Sequence, residues 1–140
     1  MLFSSMSPRS VAGDTPFYPQ PYTRVVTIDA ATFTVATELQ LWNPTIVFGY
    51  SALAVNGDGE VAITVAWGGA SDEVDTAFGL LGDFVVWYRD GSTASNERWG
   101  DFLRTHRSNK APAQLDGFGY FTTKSGGAIR QNPYHVRYGR

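Results

Sequence analysis

The sequence predicts an all-β protein built from antiparallel sheets. Stretches of four to eight residues rich in β-branched and aromatic side chains recur along most of the 140-residue chain, and Gly, Asn and Asp separate them. The one helical candidate, 94–106, is interrupted by Gly100, and its apolar residues do not recur at spacings of three and four. We therefore predict strands and no helix.

The predicted strands follow a proline-rich segment. Four of the seven prolines lie within residues 1–22, and proline neither continues a helix nor donates to a sheet ladder. We interpret 1–22 as an extended N-terminal arm and 23–140 as the folded domain. The predicted strands cover residues 24–28, 33–36, 38–41, 51–55, 61–67, 84–88, 102–104, 119–122 and 134–138.

The segment 61–67 is the most informative of these strands. Its odd-numbered residues are large, Val61, Ile63, Val65 and Trp67, whereas the even-numbered ones are small. Both faces are therefore expected to be covered, with another sheet packed closely on the small-residue side. The turn signal at 56–59, Asn-Gly-Asp-Gly, precedes this strand and predicts a β-hairpin over 51–67.

Composition and charge exclude several classes of protein. Hydrophobic residues make up 43% of the chain and charged residues 17%, so the chain can bury a core, and the absence of cysteine excludes disulfides and zinc–thiolate sites. Residues 1–88 carry a net charge of −7 and residues 89–140 one of +5. The basic residues are scattered, so we expect pairing with the acidic half and no nucleic-acid partner. No apolar run approaches ~18 residues, and we expect no membrane partner.

An internal similarity bears on the number of sheets. Phe-Gly-Tyr occurs at 48–50 and again at 118–120, and each copy is followed by a glycine-rich turn. If the distance between the two copies spans two blades, half of it falls somewhat below the ~40–50 residues of a propeller blade. On this basis 140 residues supply about three propeller-type blades, fewer than the four that closure requires, so we expect an incomplete or partial propeller.

The order of short motifs from about Ser7 to the C-terminus resembles the C-terminal part of bacterial sialidase-like (BNR-type) β-propeller proteins of unassigned function. The motifs are RVVTID at 24–29, YSALAVNGDGEV at 50–61, AWGG at 66–69, RWGDF at 98–102 and PYHVRYGR at 133–140. The resemblance implies the closing blades of a longer, exported protein, extracellular or periplasmic. The chain itself shows no signal-peptide pattern. It also lacks the Asp-box, Ser-x-Asp-x-Gly-x-Thr-Trp, so sialidase activity is not carried over.

Candidate ligand-binding residues cluster around the motif at 98–102. Asp101 can accept hydrogen bonds from a ligand and Trp99 can stack on a sugar, with Arg98, Arg104 and Tyr50 as further candidates. The alternative interpretation is structural, with Asp101 capping a turn and Trp99 packed inside the protein. Of the tryptophans, we expect Trp42 or Trp99 to be the exposed one. No spacing ties arginine, tyrosine and carboxylate residues into a catalytic set, so no catalytic residue is assigned.

Metal and cofactor sites are not predicted. The acidic stretch 71–75 lacks the glycine and carbonyl positions of a calcium loop, and we interpret it as a solvated loop. His106 and His135 are isolated in the sequence and have no metal-ligand spacing, so we interpret them as ordinary surface or turn residues. No phosphate-binding loop is present.

The predicted function is a non-catalytic β-propeller-type module that acts as a scaffold or as a binding surface for a glycan or a protein. One alternative is the C-terminal fragment of a sialidase-like glycosidase, whose site other blades would complete. A second alternative is a structural module that forms homo-oligomers through open sheet edges.

Overall fold

A computed structural model of the chain describes residues 2–7, 13, 17–69, 74–83, 86–88 and 102–140. Ten strands run through these residues: β1 (Leu2–Ser7), β2 (Tyr22–Ile28), β3 (Val35–Leu41), β4 (Ile46–Val55), β5 (Val61–Gly69), β6 (Asp75–Leu80), β7 (Val86–Tyr88), β8 (Arg104–Arg107), β9 (Leu115–Ser125) and β10 (Ala128–Tyr138).

The strands form three antiparallel sheets, each made of strands consecutive in the chain. We call them the N-terminal sheet (β1-β2-β3), the middle sheet (β4-β5-β6-β7) and the C-terminal sheet, in which β9 lies between β8 and β10. None of these sheets closes on itself. The fold class is confirmed as all-β, with antiparallel sheets in the manner of blades of an incomplete propeller. No helix in the described ranges has the length and apolar character to cross a membrane.

The middle sheet is covered on both faces, as the pattern of 61–67 predicts. On one face Ile63 and Val65 pack with Val25 of the N-terminal sheet. On the other face Ala62 and Phe78 pack with Leu115 of the C-terminal sheet. The small residues of β5 thus lie on the side of the C-terminal sheet, and the core consists of two layers, one on each side of the middle sheet.

The C-terminal sheet approaches the middle sheet closely because two residues of β9 have no side chain. A Cβ atom at Gly117 would overlap the ring of Phe78, and one at Gly119 would overlap the side chain of Thr76. Phe78 is completely buried in this space. Glycine is therefore required here by the contact with another chain segment.

A buried polar cluster joins the same two sheets. The hydroxyl groups of Thr64 on β5 and Thr105 on β8 form a hydrogen bond, and both interact with the hydroxyl of Tyr138 on β10. Burial raises the pKa of Tyr138, against the lowering effect of those two hydroxyls. The hydrogen bond between Thr64 and Thr105 spares both threonine hydroxyls the cost of burial without a partner.

The turn at Asn56 forms as predicted. The Asn56 side-chain oxygen accepts hydrogen bonds from the N–H groups of Asp58 and Glu60, and Gly59 adopts a positive φ of 84°. The Asn56 amide also donates to the carbonyl of Ala113, 2.7 Å away. This turn therefore fixes the β4–β5 hairpin to the loop before β9 as well as closing it.

Several predicted strand boundaries are wrong. The predictions 33–36 and 38–41 correspond to one strand, β3, and Phe33 lies outside it with a positive φ of 56°. The reason is a turn in which the Asp29 carboxylate accepts hydrogen bonds from the N–H groups of Ala31 and Thr32. The prediction 102–104 overlaps β8 only at Arg104. The strands β1 and β6 were not predicted, and the boundary at residue 22 stays a prediction.

We predict that Gly117→Ala lowers the free energy of unfolding by about 1–3 kcal/mol, because the added methyl group overlaps the Phe78 ring. Urea denaturation measures this cost. The matched control is the same substitution in a Phe78→Leu background, in which the smaller side chain leaves room for the methyl group and the cost should fall. An equal cost in both backgrounds would contradict the packing explanation.

Candidate binding site

The C-terminal sheet carries ionisable and aromatic side chains on the surface that faces away from the middle sheet. Since Gly117 and Gly119 of β9 face the middle sheet, the residues between and beside them point the other way. We call this surface the outer face. It consists of Arg104 and His106 on β8, Asp116, Phe118 and Tyr120 on β9, and Pro133, His135 and Arg137 on β10.

Strand pairing explains which of these side chains touch. The N–H of Tyr120 donates to Thr76 Oγ1 at 3.2 Å, and Thr76 Oγ1 donates to the Tyr120 carbonyl at 3.0 Å, so the main chain of Tyr120 points away from β10. Tyr120 and Pro133 are therefore a non-hydrogen-bonded pair. Because the two kinds of pair alternate along an antiparallel ladder, Asp116 and Phe118 also form non-hydrogen-bonded pairs with β10. Side chains in such pairs lie closest together, which brings Arg137 against Asp116 and His135 against Phe118.

Asp116 lies at the centre of the charged groups. It is only 5% exposed, and its Oδ1 accepts a hydrogen bond from Arg137 Nε at 2.8 Å. His135 Nε2 lies 2.7 Å from the same oxygen, and His106 Nε2 lies 4.0 Å from Oδ2. The longer distance to His106 agrees with its place in a wider, hydrogen-bonded pair with β9.

These contacts keep Asp116 ionised. The hydrogen bond from Arg137 lowers the pKa of Asp116 to about 2, against the effect of burial, and the contact with His135 acts in the same direction as Arg137. A carboxyl group with this pKa is an acceptor and an anion at any pH at which proteins normally work. Asp116 therefore orients its partners and does not release or take up a proton.

Three rings stand side by side over this carboxylate. The ring of Phe118 is stacked between those of His106 and His135, with centroid distances of 5.5 Å and 4.7 Å. Both faces of Phe118 are thus occupied, although the residue is 39% exposed. Phe118 presents its edge to solvent and holds the orientation of both imidazoles.

A groove of about 550 Å³ runs beside this stack. Tyr120, Pro133 and Tyr134 line it together with the stack residues Phe118 and His135, and with Gly119, Phe102 and Gln131. Phe102 is 83% exposed, although aromatic rings are commonly buried. The groove therefore combines apolar surfaces with a few polar side chains, among them those of Gln131 and His135, which is the usual make-up of a small-molecule site.

The end of this groove is fixed to the middle sheet. Strand β8 pairs with β9 only as far as Phe118, so the main chain of β9 beyond that point lacks a strand partner on that side. Side chains of β6 replace it: Thr76 bonds to Tyr120, as above, and the Asp75 carboxylate accepts from the N–H of Thr122 at 3.3 Å. These bonds satisfy polar main-chain groups that would otherwise be buried without partners.

The structure places one predicted candidate on the outer face. Arg104 lies opposite Phe118, and within the described residues it makes no ion pair. Tyr50 lies elsewhere, on β4 at a register shift between Gly49 and Ala52, where it has a positive φ of 49°. It is therefore not part of this groove. Arg98, Trp99 and Asp101 lie outside the described residues, so their predicted roles stay predictions.

The sequence analysis missed Asp116, Phe118 and the two histidines as a group. His106 and His135 were expected to be ordinary surface or turn residues, but they lie on strands and face one carboxylate. One signal in the sequence could have found most of the cluster. Gly126 and Gly127 both have positive φ, as a two-residue hairpin turn requires, and counting outwards from them pairs 116 with 137 and 118 with 135.

Two further cavities are mainly apolar. One of about 580 Å³ lies between the N-terminal and middle sheets and is lined by residues such as Leu41, Phe48 and Ala77. The other, of about 240 Å³, lies beside Tyr50 and Trp67. Neither contains a group of charged side chains comparable with that on the outer face.

The acidic stretch 71–75 is described only in part. Its residues 71–73 lie outside the described ranges, whereas Asp75 is buried and bonds to the main chain of β9. The interpretation as a solvated loop is therefore wrong for Asp75. In the part of the chain that the structure describes, no three His, Cys, Asp or Glu residues are arranged to hold a metal ion.

Comparison with known proteins gives no assignment: the chain matches no family model, no curated protein and no solved structure. The resemblance to sialidase-like propeller proteins therefore stays a prediction.

We predict that Asp116→Asn removes part of the acid sensitivity of folding. Because the pKa of Asp116 falls from 3.8 to about 2 on folding, its charge stabilises the native state above pH ~4, and this contribution is lost as the pH falls towards 2. Solvent near the outer face screens the effect, which we expect to be on the order of 1–2 kcal/mol.

Urea denaturation at pH 6, 4, 3 and 2.5 measures this contribution. The unfolding free energy of Asp116→Asn should be lower at pH 6 and should fall less between pH 4 and 2.5 than that of the wild type. Glu38→Gln is the control, since Glu38 is also paired with an arginine but lies on an exposed surface. The same acid dependence in wild type and Asp116→Asn would refute the assignment.

Proposed function

We propose that this chain is a non-catalytic β-module whose outer face binds a glycan in the groove beside the His106–Phe118–His135 stack. The observation that carries the proposal is the groove itself, an apolar depression whose lining includes the polar side chains of Gln131 and His135. Its volume of about 550 Å³ lies within the range of small-molecule sites.

The lining of the groove suits a sugar ring. Phe102 and Pro133 offer flat apolar surfaces to the C–H faces of a sugar, and the neighbouring Gln131 and His135 can form hydrogen bonds to its polar substituents. A concave site of this size favours a glycan over a protein, since protein partners usually require a broader surface. Arg104 lies at the side of the groove, beside Phe118, and can contact a longer chain.

The chemistry of Asp116 supports a binding role in place of a catalytic one. Glycoside hydrolysis generally needs two carboxyl groups, of which one has a raised pKa and donates a proton. The pKa of Asp116 is lowered, and Arg137 and His135 occupy its oxygens. On the outer face as defined above, Asp116 has no second carboxyl group beside it.

A homo-oligomer formed through open sheet edges is the second candidate, and the open sheets favour it. The most extended open edge is β10, whose eleven residues pair with β9 on one side only. Pro133 interrupts this edge, because its nitrogen points outwards and cannot donate to an added strand. Light scattering across a range of concentrations tests the candidate, and a monomer throughout would count against it.

We predict that Phe102→Ala weakens glycan binding about tenfold or more, because an exposed aromatic ring that stacks on a sugar is lost. A glycan array identifies the ligand, and titration calorimetry gives the affinities. Phe33→Ala is the matched control, since Phe33 is 73% exposed but lies in the β2–β3 turn of another sheet. The proposal fails if no glycan binds or if both variants bind as the wild type does.

A further inference from the structure

The position of one proton can be deduced at His135. Asp116 is ionised and can only accept hydrogen bonds, so His135 Nε2, 2.7 Å from its Oδ1, must be the donor. In a neutral imidazole, the other ring nitrogen then has a lone pair and no proton. In that form, Nδ1 of His135 is a hydrogen-bond acceptor.

The surroundings hold this acceptor in one orientation. Arg137 fixes the Asp116 carboxylate, and the Phe118 ring packs on the imidazole at 4.7 Å. His135 lines the groove, and Nδ1 is its only polar side-chain atom that is not engaged by Asp116. Two arginines share this face: Arg137 lies on the same strand and is paired with Asp116, and Arg104 lies two strands away.

A fixed acceptor is most selective for a ligand group that can only donate. A sugar hydroxyl can turn to donate or accept, whereas the N–H of an acetamido group only donates. An acetamido group also carries a methyl group, for which Phe102, Tyr120 and Pro133 provide apolar contacts. A free amine would also donate, but its positive charge would be repelled by Arg104, which has no ion-pair partner among the described residues.

From this geometry we infer that the groove selects N-acetylated amino sugars, with His135 Nδ1 accepting the hydrogen bond of the acetamido N–H. Asp116 is a positioning residue that fixes the tautomer. This inference rests on the proposed function, because it specifies which glycan the same groove binds.

The test compares two probes that differ at C2 of each sugar, chitotriose with acetamido groups and cellotriose with hydroxyl groups, by calorimetry at one pH. Chitotriose should bind roughly three- to tenfold more tightly, which is the effect of one hydrogen bond. Equal affinities for the two probes, or tighter binding of cellotriose, would overturn the inference.

Variants separate the role of His135 from that of the cluster. His135→Leu should lose the preference for chitotriose, whereas His135→Asn, whose amide oxygen also accepts a hydrogen bond, should keep it. His106→Asn is the matched control, because His106 faces the same carboxylate but does not line the groove, and it should behave as the wild type. If His106→Asn lost the preference for chitotriose and His135→Leu kept it, the preference would depend on His106, and the inference would be refuted.

Failure of the inference and failure of the proposed function can be distinguished. If other glycans on the array bind in the groove but chitotriose does not, the inference is wrong and the proposed function stands. If no carbohydrate binds, both are wrong. Circular dichroism of each variant confirms that a loss of binding does not reflect unfolding.

Discussion

The close approach of strand β9 to strand β6 determines much of the structure. At this contact, a glycine at 117 makes room for the ring of Phe78, and a glycine at 119 makes room for Thr76. Protein interiors are packed as densely as organic crystals, so two sheets can approach this closely only where side chains on one match gaps on the other. The buried hydroxyl groups of Thr64, Thr105 and Tyr138 lie between the same sheets, where only a close approach lets them reach one another.

The same contact determines the composition of the outer face. Because successive residues of a strand point to opposite sides, glycines at 117 and 119 require that 116, 118 and 120 point away from the middle sheet. A slip of one residue in β9 would put Phe118 where Gly117 makes room for Phe78, and a carboxylate into the core. The hydrogen bonds from Thr76 and Asp75 to the main chain of β9 oppose such a slip, since they are specific to Tyr120 and Thr122.

The sequence predicts the fold more fully than the site. Alternation in 61–67 and the turn at 56–59 are local signals, and both describe the middle sheet correctly. The repeated Phe-Gly-Tyr is less informative about the fold. One copy lies on β4, at the edge of the middle sheet, and the other on β9, in the centre of the C-terminal sheet. The charge asymmetry predicts pairing between the halves, and Arg140 does pair with Asp83, but Arg137 pairs with Asp116 of its own half.

The site depends on register, which single residues do not reveal. His106 and His135 are far apart in sequence and become neighbours of Asp116 only when β8 and β10 align on either side of β9. His135 contacts Asp116 more closely than His106 does. The main-chain groups of Asp116 point towards β8 and away from β10, as the direction of the Tyr120 main chain indicates, so side chains on β10 lie closer to Asp116 than those on β8. The sequence gives the residue types but does not show which neighbouring strand the main-chain groups of Asp116 face.

We propose that the charged cluster on the outer face serves binding more than stability. Replacing buried ion pairs with well-packed apolar residues is often neutral or stabilising, because the desolvation of the charges offsets their attraction. A sheet face whose only task was to pack or to remain soluble would need neither a buried carboxylate nor two imidazoles stacked on one phenyl ring. The Asp116 carboxylate is instead ionised under all ordinary conditions, held by Arg137, and bonded to a histidine that lines an open groove. Perturbed ionisable groups are typical of functional sites, and under the proposed function the perturbed Asp116 orients the imidazole of His135, which lines the groove.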